Sequence, residues 1–308
     1  MIRRTTAAGL LSAVLVAQSV LITAQSSAQR TFATPESAVL ALVDAAKPGK
    51  MDDLLAIFGP EGQALIASSD EAIARQNREI FTVAAAEGWR LVDQAANRKI
   101  LIVGNEGWPF PVPLVKRANS WTFDTAAGKE EVLARRIGRN ELAAIDTCRT
   151  YVAAQQQYAK QGHDGKPSGL FATTFSSEPG KQNGLYWPSA RHEPLSPLGD
   201  LVAQAAQGGQ QLGATRGQPS PFHGYYFKIL TGQGAAARGG AKSYLVNGEM
   251  SGGFALVAWP SQYDATGVMT FIVNQDGTVH EKDLGPKTDA TAAAMTRYNP
   301  DASWRRVQ

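Results

Sequence analysis

The run Leu142-Ala143-Ala144-Ile145-Asp146-Thr147-Cys148-Arg149-Thr150-Tyr151-Val152 repeats apolar residues at helical intervals. Leu142, Ile145, Cys148, Val152 and Ala159 recur at steps of three, four or seven. That spacing predicts one buried face of a long helix over residues 128–160. Gly138 is a weak point within it, and Glu130 and Glu131 suit the start of a helix by complementing its dipole. Cys148 is the only cysteine in 308 residues. No intramolecular disulfide can form, and zinc sites of the multi-cysteine type are excluded. On a helix face it is expected to be a small buried apolar residue rather than a reactive thiol.

Upstream of this helix, Thr34-Pro35-Glu36-Ser37 carries the marks of a helix start: an N-cap, a proline at the first position and an acid in the first turn. Ala38, Leu42 and Ala45, backed by Val39 and Val43, form its stripe, and Pro48-Gly49 ends it. A short helix is expected over 51–58. Ser69-Asp70 caps a third that runs to about Glu87, with Ile73, Ile80 and Phe81 on its apolar side. The period then changes to that of strands, over 89–93, 99–103, 112–116 and 121–124. Between them, Trp108-Pro109-Phe110-Pro111-Val112-Pro113 cannot be a regular central strand and is expected to be stiff and extended.

Downstream, residues 161–222 are rich in Gly, Pro, Ser and Gln. They are too long for a plain connection, so loops with short helices are expected, one of them over 197–206. Strands are predicted at 225–231, 254–259, 268–274 and 278–282, with Asp276-Gly277 marking a hairpin between the last two. A helical stretch near 290–295 precedes a tail expected to end loosely. The predicted fold class is α+β: N-terminal helices on an antiparallel sheet (cone-like), then a long helix with a second antiparallel meander (pilin-head-like). The expected organisation is a signal peptide at 1–28, a first module at 29–127 and a second at 128–308.

Residues 1–28 have the pattern of a secretory leader: Arg3 and Arg4, an apolar stretch over 7–23, and Ser26-Ser27-Ala28 as a small-x-small cleavage site. The mature chain is expected to begin at Gln29 and to carry no membrane span. No cysteine lies near the cleavage site, so a lipid anchor is not expected. The formal charge is +3, but without the two leader arginines 28 basic residues face 27 acidic ones. No basic tract survives that could follow a phosphate backbone, which excludes nucleic acid as an expected partner. A 44% hydrophobic content excludes a mainly disordered chain.

Several longer segments carry a resemblance. They include Gly107-Trp108-Pro109-Phe110-Pro111-Val112-Pro113-Leu114-Val115, Phe123-Asp124-Thr125-Ala126-Ala127-Gly128 and Arg135-Arg136-Ile137-Gly138-Arg139-Asn140-Glu141-Leu142. Others are Gly253-Phe254-Ala255-Leu256-Val257-Ala258-Trp259-Pro260, Thr266-Gly267-Val268-Met269-Thr270-Phe271-Ile272-Val273-Asn274 and Lys282-Asp283-Leu284-Gly285. Together they resemble the bacterial domain-of-unknown-function 2950 family over almost the whole mature chain. The resemblance implies a secreted or periplasmic protein without an assigned activity. Relatives often carry an Asp-rich stretch like a calcium loop. Here Gly162-His163-Asp164-Gly165-Lys166-Pro167 offers one Asp beside a Lys and a Pro, too few oxygen ligands for calcium. Residues from about 135 onward are also similar, in element order, to the heads of type IV pilins and pseudopilins, without a pilin's apolar stalk. Residues 32–124 loosely resemble a nuclear-transport-factor-like cone. Such analogies carry little about function.

Among the histidines, His163, His192, His223 and His280, none pairs at i, i+4. There is no nucleophile elbow, phosphate loop or dinucleotide fingerprint, and neither a cofactor nor a metal is expected. Glu130-Glu131, Glu193 and Asp283 could supply paired carboxylates for glycoside cleavage. Trp108 and Phe110, in a stiff Pro-rich segment that loses little entropy on binding, are candidate recognition residues or else a lid over the first sheet. Tyr186 and Trp187 form a second aromatic turn with the same two readings. His223, within Pro221-Phe222-His223-Gly224-Tyr225-Tyr226, is either a site residue or a turn histidine packed by rings. The expected function is a non-enzymatic envelope module that binds or assembles through aromatic loops, its partner another envelope protein or a cell-wall component. The alternative is a hydrolase of wall glycan or peptide. A third possibility is a small-ligand pocket in the cone of the first module.

Overall fold

The computed structural model describes residues 28–48, 50–66, 71–189, 195–207, 213–215 and 218–308. The leader up to Ser27, Gly49 and the Ser69-Asp70 cap lie outside the described residues. The chain divides into two compact units, one ending at Gly128 and one starting at Lys129. It is a mixed α+β protein with a long helix followed by a sheet meander.

In the first unit, helix α1 (Pro35–Ala45) opens with a capping box in which Thr34 Oγ1 accepts from the Ser37 N–H at 3.1 Å. Its inward face is Ala38, Val39, Leu42 and Ala45, as the stripe predicts. Helices α2 (Met51–Phe58), α3 (Gln63–Ile66) and α4 (Glu71–Glu87) follow. Ile80, expected on the apolar side of α4, is 59% exposed. The inward side is Phe81, Ala84 and Ala85, one step around the helix, and Ile80 points outward together with Val83.

Strands β1 (Trp89–Ala95), β2 (Arg98–Val103), β3 (Trp108–Pro109), β4 (Leu114–Arg117) and β5 (Ser120–Phe123) form an antiparallel sheet in the order β1-β2-β4-β5. Strand β2 spends one edge on two partners. Arg98 and Lys99 pair with β4, while Ile102 and Val103 pair with β3. The Pro-rich segment is therefore extended, as expected, and touches the ladder over two residues before Pro111 and Pro113 take it away. Gly128 lies against Val112, where an added Cβ would come within 2.6 Å of the valine side chain.

Helix α5 (Thr125–Tyr158) has 34 residues and passes through Gly138 unbroken. Its buried face in the second unit is Ala144, Ile145, Cys148, Tyr151, Val152, Gln155 and Tyr158. Leu142, predicted on this face, is 69% exposed. Its neighbour Glu141 turns inward instead, because one of its carboxylate oxygens accepts from the Val268 and Met269 N–H groups at 2.9 and 3.0 Å. Asn140 adds a bond to the Thr266 carbonyl at 2.8 Å. Two backbone donors at a strand start needed an acceptor, and a carboxylate meets that need where leucine cannot.

After α6 (Gly199–Gln207) and the short pair β6 (Gly213–Thr215) and β7 (Gln218–Ser220) comes β8 (Tyr225–Leu230). Four two-residue strands follow: β9 (Gly232–Gln233), β10 (Lys242–Ser243), β11 (Leu245–Val246) and β12 (Glu249–Met250). The main sheet is completed by β13 (Ala255–Pro260), β14 (Met269–Asn274), β15 (His280–Asp283) and, beyond α7 (Thr288–Ala293) and β16 (Arg297–Tyr298), by β17 (Arg305–Arg306). Its order is β17-β15-β14-β13-β8, antiparallel throughout. Gly277, at φ +75°, closes the predicted turn between β14 and β15.

All six residues of β13 are buried, which requires cover on both faces of the sheet. On one side Tyr225 packs on Phe271 at 5.8 Å and bonds the Met269 carbonyl; burial and the Glu141 carboxylate of α5 push its hydroxyl pKa upward. On the other, Trp259 Nε1 donates to Asp289 of α7 at 2.9 Å, and Lys228 Nζ bonds the Ala293 carbonyl at the end of that helix. The tail, expected to be loose, is part of this second layer. Tyr298 is buried, Trp304 and Val307 pack on the core, and β17 adds an edge strand. Among the described residues no helix is long and apolar enough to cross a membrane.

Candidate binding cleft in the second unit

Where α5 ends, the chain enters a long loop that is tied down by side chains. Gln155, fully buried, acts toward Ala172 as a strand would: its Oε1 accepts from the Ala172 N–H at 2.9 Å and its Nε2 donates to the Ala172 carbonyl at 2.8 Å. The same Nε2 donates to Tyr151 Oη at 3.0 Å. One residue earlier, the Phe171 N–H donates to the Met250 carbonyl at 2.8 Å, fixing the loop to β12. Asn247 and Gly248, at φ +52° and +82°, make the tight turn between β11 and β12 and thereby place Glu249.

A second set of contacts folds the loop on itself. The Asp164 carboxylate accepts from the Gln182 N–H at 2.9 and 3.1 Å, and Tyr158 Oη donates to the Gln182 carbonyl at 2.8 Å. His163 stacks on Tyr158 with ring centres 4.0 Å apart and planes 17° from parallel. Its ring nitrogens face the Tyr158 carbonyl at 3.0 Å and Gln182 Oε1 at 3.3 Å. Trp187 rests on both rings, 5.5 Å from His163 and 6.5 Å from Tyr158.

Between this loop and β12 lies a cleft of about 220 Å³. Tyr158, Phe171 and His163 give it ring surfaces; Thr174, Glu178 and Glu249 give it hydroxyl and carboxylate groups. Lys166 reaches Glu249 at 3.0 Å. Glu178 bonds Lys181, and that ammonium holds its carboxyl below the usual carboxylate range. Flat rings beside hydroxyl, amide and carboxylate groups suit a ligand with an apolar face and a polar rim. Among the described residues, no group of three or more His, Cys, Asp or Glu is placed to hold a metal ion.

The residues singled out by sequence fall in different places. Phe110 is one of the packed rings of the first unit, 5.3 Å from Phe81, 6.2 Å from Phe123 and 6.4 Å from Phe58. Trp108 sits edge-on to Phe110 at 6.2 Å and is 46% exposed. Tyr186 is half-buried, and its backbone bridges to Ser176 and bonds Phe175 and Ser177; Trp187 buttresses two residues of the cleft wall. His223 is exposed at φ +47° in a tight turn where Phe222 and Tyr225 exchange hydrogen bonds, and its ring lies 4.3 Å from Phe222. Partial desolvation of the ring lowers its pKa below the ordinary imidazole value.

Of the suspected carboxylates, Glu131 pairs with Arg135 one helical turn on. Asp283 accepts from the Gly285 N–H. Glu193 and His192 lie outside the described residues. The cleft carboxylates Asp164, Glu178 and Glu249 are a different set. Asn247-Gly248 between Leu245-Val246 and Glu249-Met250 was the sequence sign that could have placed Glu249. Asp164 lies in the stretch 162–167 weighed above for calcium, and nothing local marks Glu178.

Residues 29–307 match the family described as "Protein of unknown function (DUF2950)", and the chain belongs to that family. No curated protein and no solved structure matches it, and the expected likeness to pilin heads is not confirmed.

Proposed function

We propose that this DUF2950 protein is an exported, non-enzymatic binding module of the bacterial envelope, whose cleft takes a glycan fragment of the cell wall. The observation that carries the reading is the cleft itself: ring surface from the half-buried Phe171 and His163 beside Thr174, Asn183 and Glu249. A pyranose presents a face of C–H groups that packs on such rings and an edge of hydroxyls that bond such side chains. Export is supported by the leader pattern and by a family match that begins at residue 29.

The geometry favours binding over cleavage. A glycosidase needs one carboxyl group kept protonated as general acid, by burial or a like charge. In this cleft the Lys181 ammonium holds the Glu178 carboxyl in the opposite direction.

Calorimetric titration of the mature protein with soluble glycan fragments released from peptidoglycan tests the reading. Saturable binding is expected. Thr174→Val and Glu249→Gln should each weaken it by roughly tenfold, one or two hydrogen bonds' worth, while Trp108→Ala leaves it unchanged. Equal affinity in all four proteins would count against the cleft. Release of shorter fragments during the titration would count against a non-enzymatic role.

A further inference from the structure

Gln29 is the first residue after the leader's expected cleavage point, and its side chain is bound on three sides. The two hydrogens of Nε2 face three acceptors, the Phe123 carbonyl at 2.7 Å, the Ile57 carbonyl at 3.0 Å and Thr125 Oγ1 at 3.2 Å, so that one of them is shared. The Thr125 hydroxyl donates its own proton to the Phe58 carbonyl at 2.7 Å, so it offers Gln29 only a lone pair. Three acceptors surround one position, which fixes the carboxamide with its nitrogen there. The following residues continue the attachment. The Arg30 N–H bonds the Ala56 carbonyl, and Phe32 and Trp121 exchange hydrogen bonds at 2.8 and 2.7 Å. Gly59, at φ +73°, leaves room for this side chain, since a Cβ there would stand 3.0 Å from that of Gln29.

A glutamine freed at an N-terminus ordinarily cyclises. Its α-amine attacks Cδ to form the new N–C bond and gives up a proton, Nε2 takes up a proton in exchange, the Cδ–Nε2 bond breaks, and ammonia leaves a closed lactam. The side chain must be free to fold back on its own amine. Here Nε2 gives its hydrogens to acceptors that have no proton to return. Donating them strengthens the amide conjugation that the attack must break. The carboxamide is also held among the end of α2, the end of β5 and the start of α5.

We propose that the leader is removed between Ala28 and Gln29, and that the first unit clamps the new N-terminal glutamine open and protects it from conversion to pyroglutamate. This rests on the export reading and is independent of the cleft.

The test is intact-mass and N-terminal peptide analysis of the chain expressed with its leader in an exporting bacterial host. The expected product starts at Gln29 with an unmodified amine. Warmed at neutral pH, the folded protein should lose ammonia roughly a hundredfold more slowly than the same protein in guanidinium, the effect of about two hydrogen bonds at the upper end of their usual range. Thr125→Val, which removes one acceptor, should narrow that gap; the wild-type comparison stands alone if this variant does not fold. A leader left uncut, or cut elsewhere, overturns the proposal together with the export reading. A Gln29 terminus that cyclises equally fast folded and unfolded overturns the clamp and leaves export standing.

Discussion

Gln155 illustrates how much one residue can hold. Its amide satisfies both backbone groups of Ala172 and bonds Tyr151. Gln155→Leu should destabilise the second unit by roughly 2–4 kcal/mol, because buried groups are left unpaired; denaturant unfolding measures it. Phe110 and Trp108 should separate in the same assay. Phe110→Ala opens a gap among three rings and should cost about 2–4 kcal/mol, whereas Trp108→Ala, at a half-exposed edge, should cost less than about 1 kcal/mol. Cys148 makes a third case. It is fully buried, and desolvation pushes its thiol from 9.0 up to about 12. The folded state thus prefers the neutral thiol. That contribution is complete below pH 9 and is lost as pH rises toward 12, where the unfolded thiol ionises first. At pH 8 a thiol reagent should leave the native protein untouched and label it on unfolding; rapid native labelling would contradict the burial. The helical period in the sequence was enough to bury Ile145, Cys148 and Val152. It could not foresee that Glu141 would displace Leu142, because the donors that call for a carboxylate lie more than 120 residues away at Val268 and Met269.

At the scale of elements, long periodic segments were legible and two-residue strands were not. The strands over 225–231 and 254–259 were placed within a residue or two of β8 and β13. The tail was misread because Arg297–Tyr298 and Arg305–Arg306 are too short to show a period; their place is set by the sheet edge they meet. Deleting residues 301–308 removes β17 together with Trp304 and Val307. It should lower the melting temperature by several degrees, as a loss of about 1–2 kcal/mol implies, and an unchanged melting curve would restore the loose tail. The β11–β12 hairpin was legible in principle from Asn247-Gly248. Gly248 sits at φ +82°, which a β-branched residue adopts only under strain. Gly248→Val should therefore unsettle the hairpin and, through Glu249, weaken any ligand of the cleft.

For the molecule as a whole, two units have separate apolar cores, and the change from helical to strand period falls within each, at β1 in the first and after α5 and α6 in the second. The cleft was not legible because its walls come from segments about 80 residues apart, the loop after α5 and the β11–β12 hairpin. They are joined by contacts such as Phe171 to Met250 and Lys166 to Glu249. The stiff Pro-rich segment and the second aromatic turn pointed to Trp108, Phe110, Tyr186 and Trp187, and the fold gives these rings neighbours within their own units. The most direct measurement is hydrogen exchange of the mature protein with and without soluble peptidoglycan glycan fragments. The account predicts added protection confined to residues 161–187 and 244–253. Protection at 108–113 with none at the cleft would contradict it.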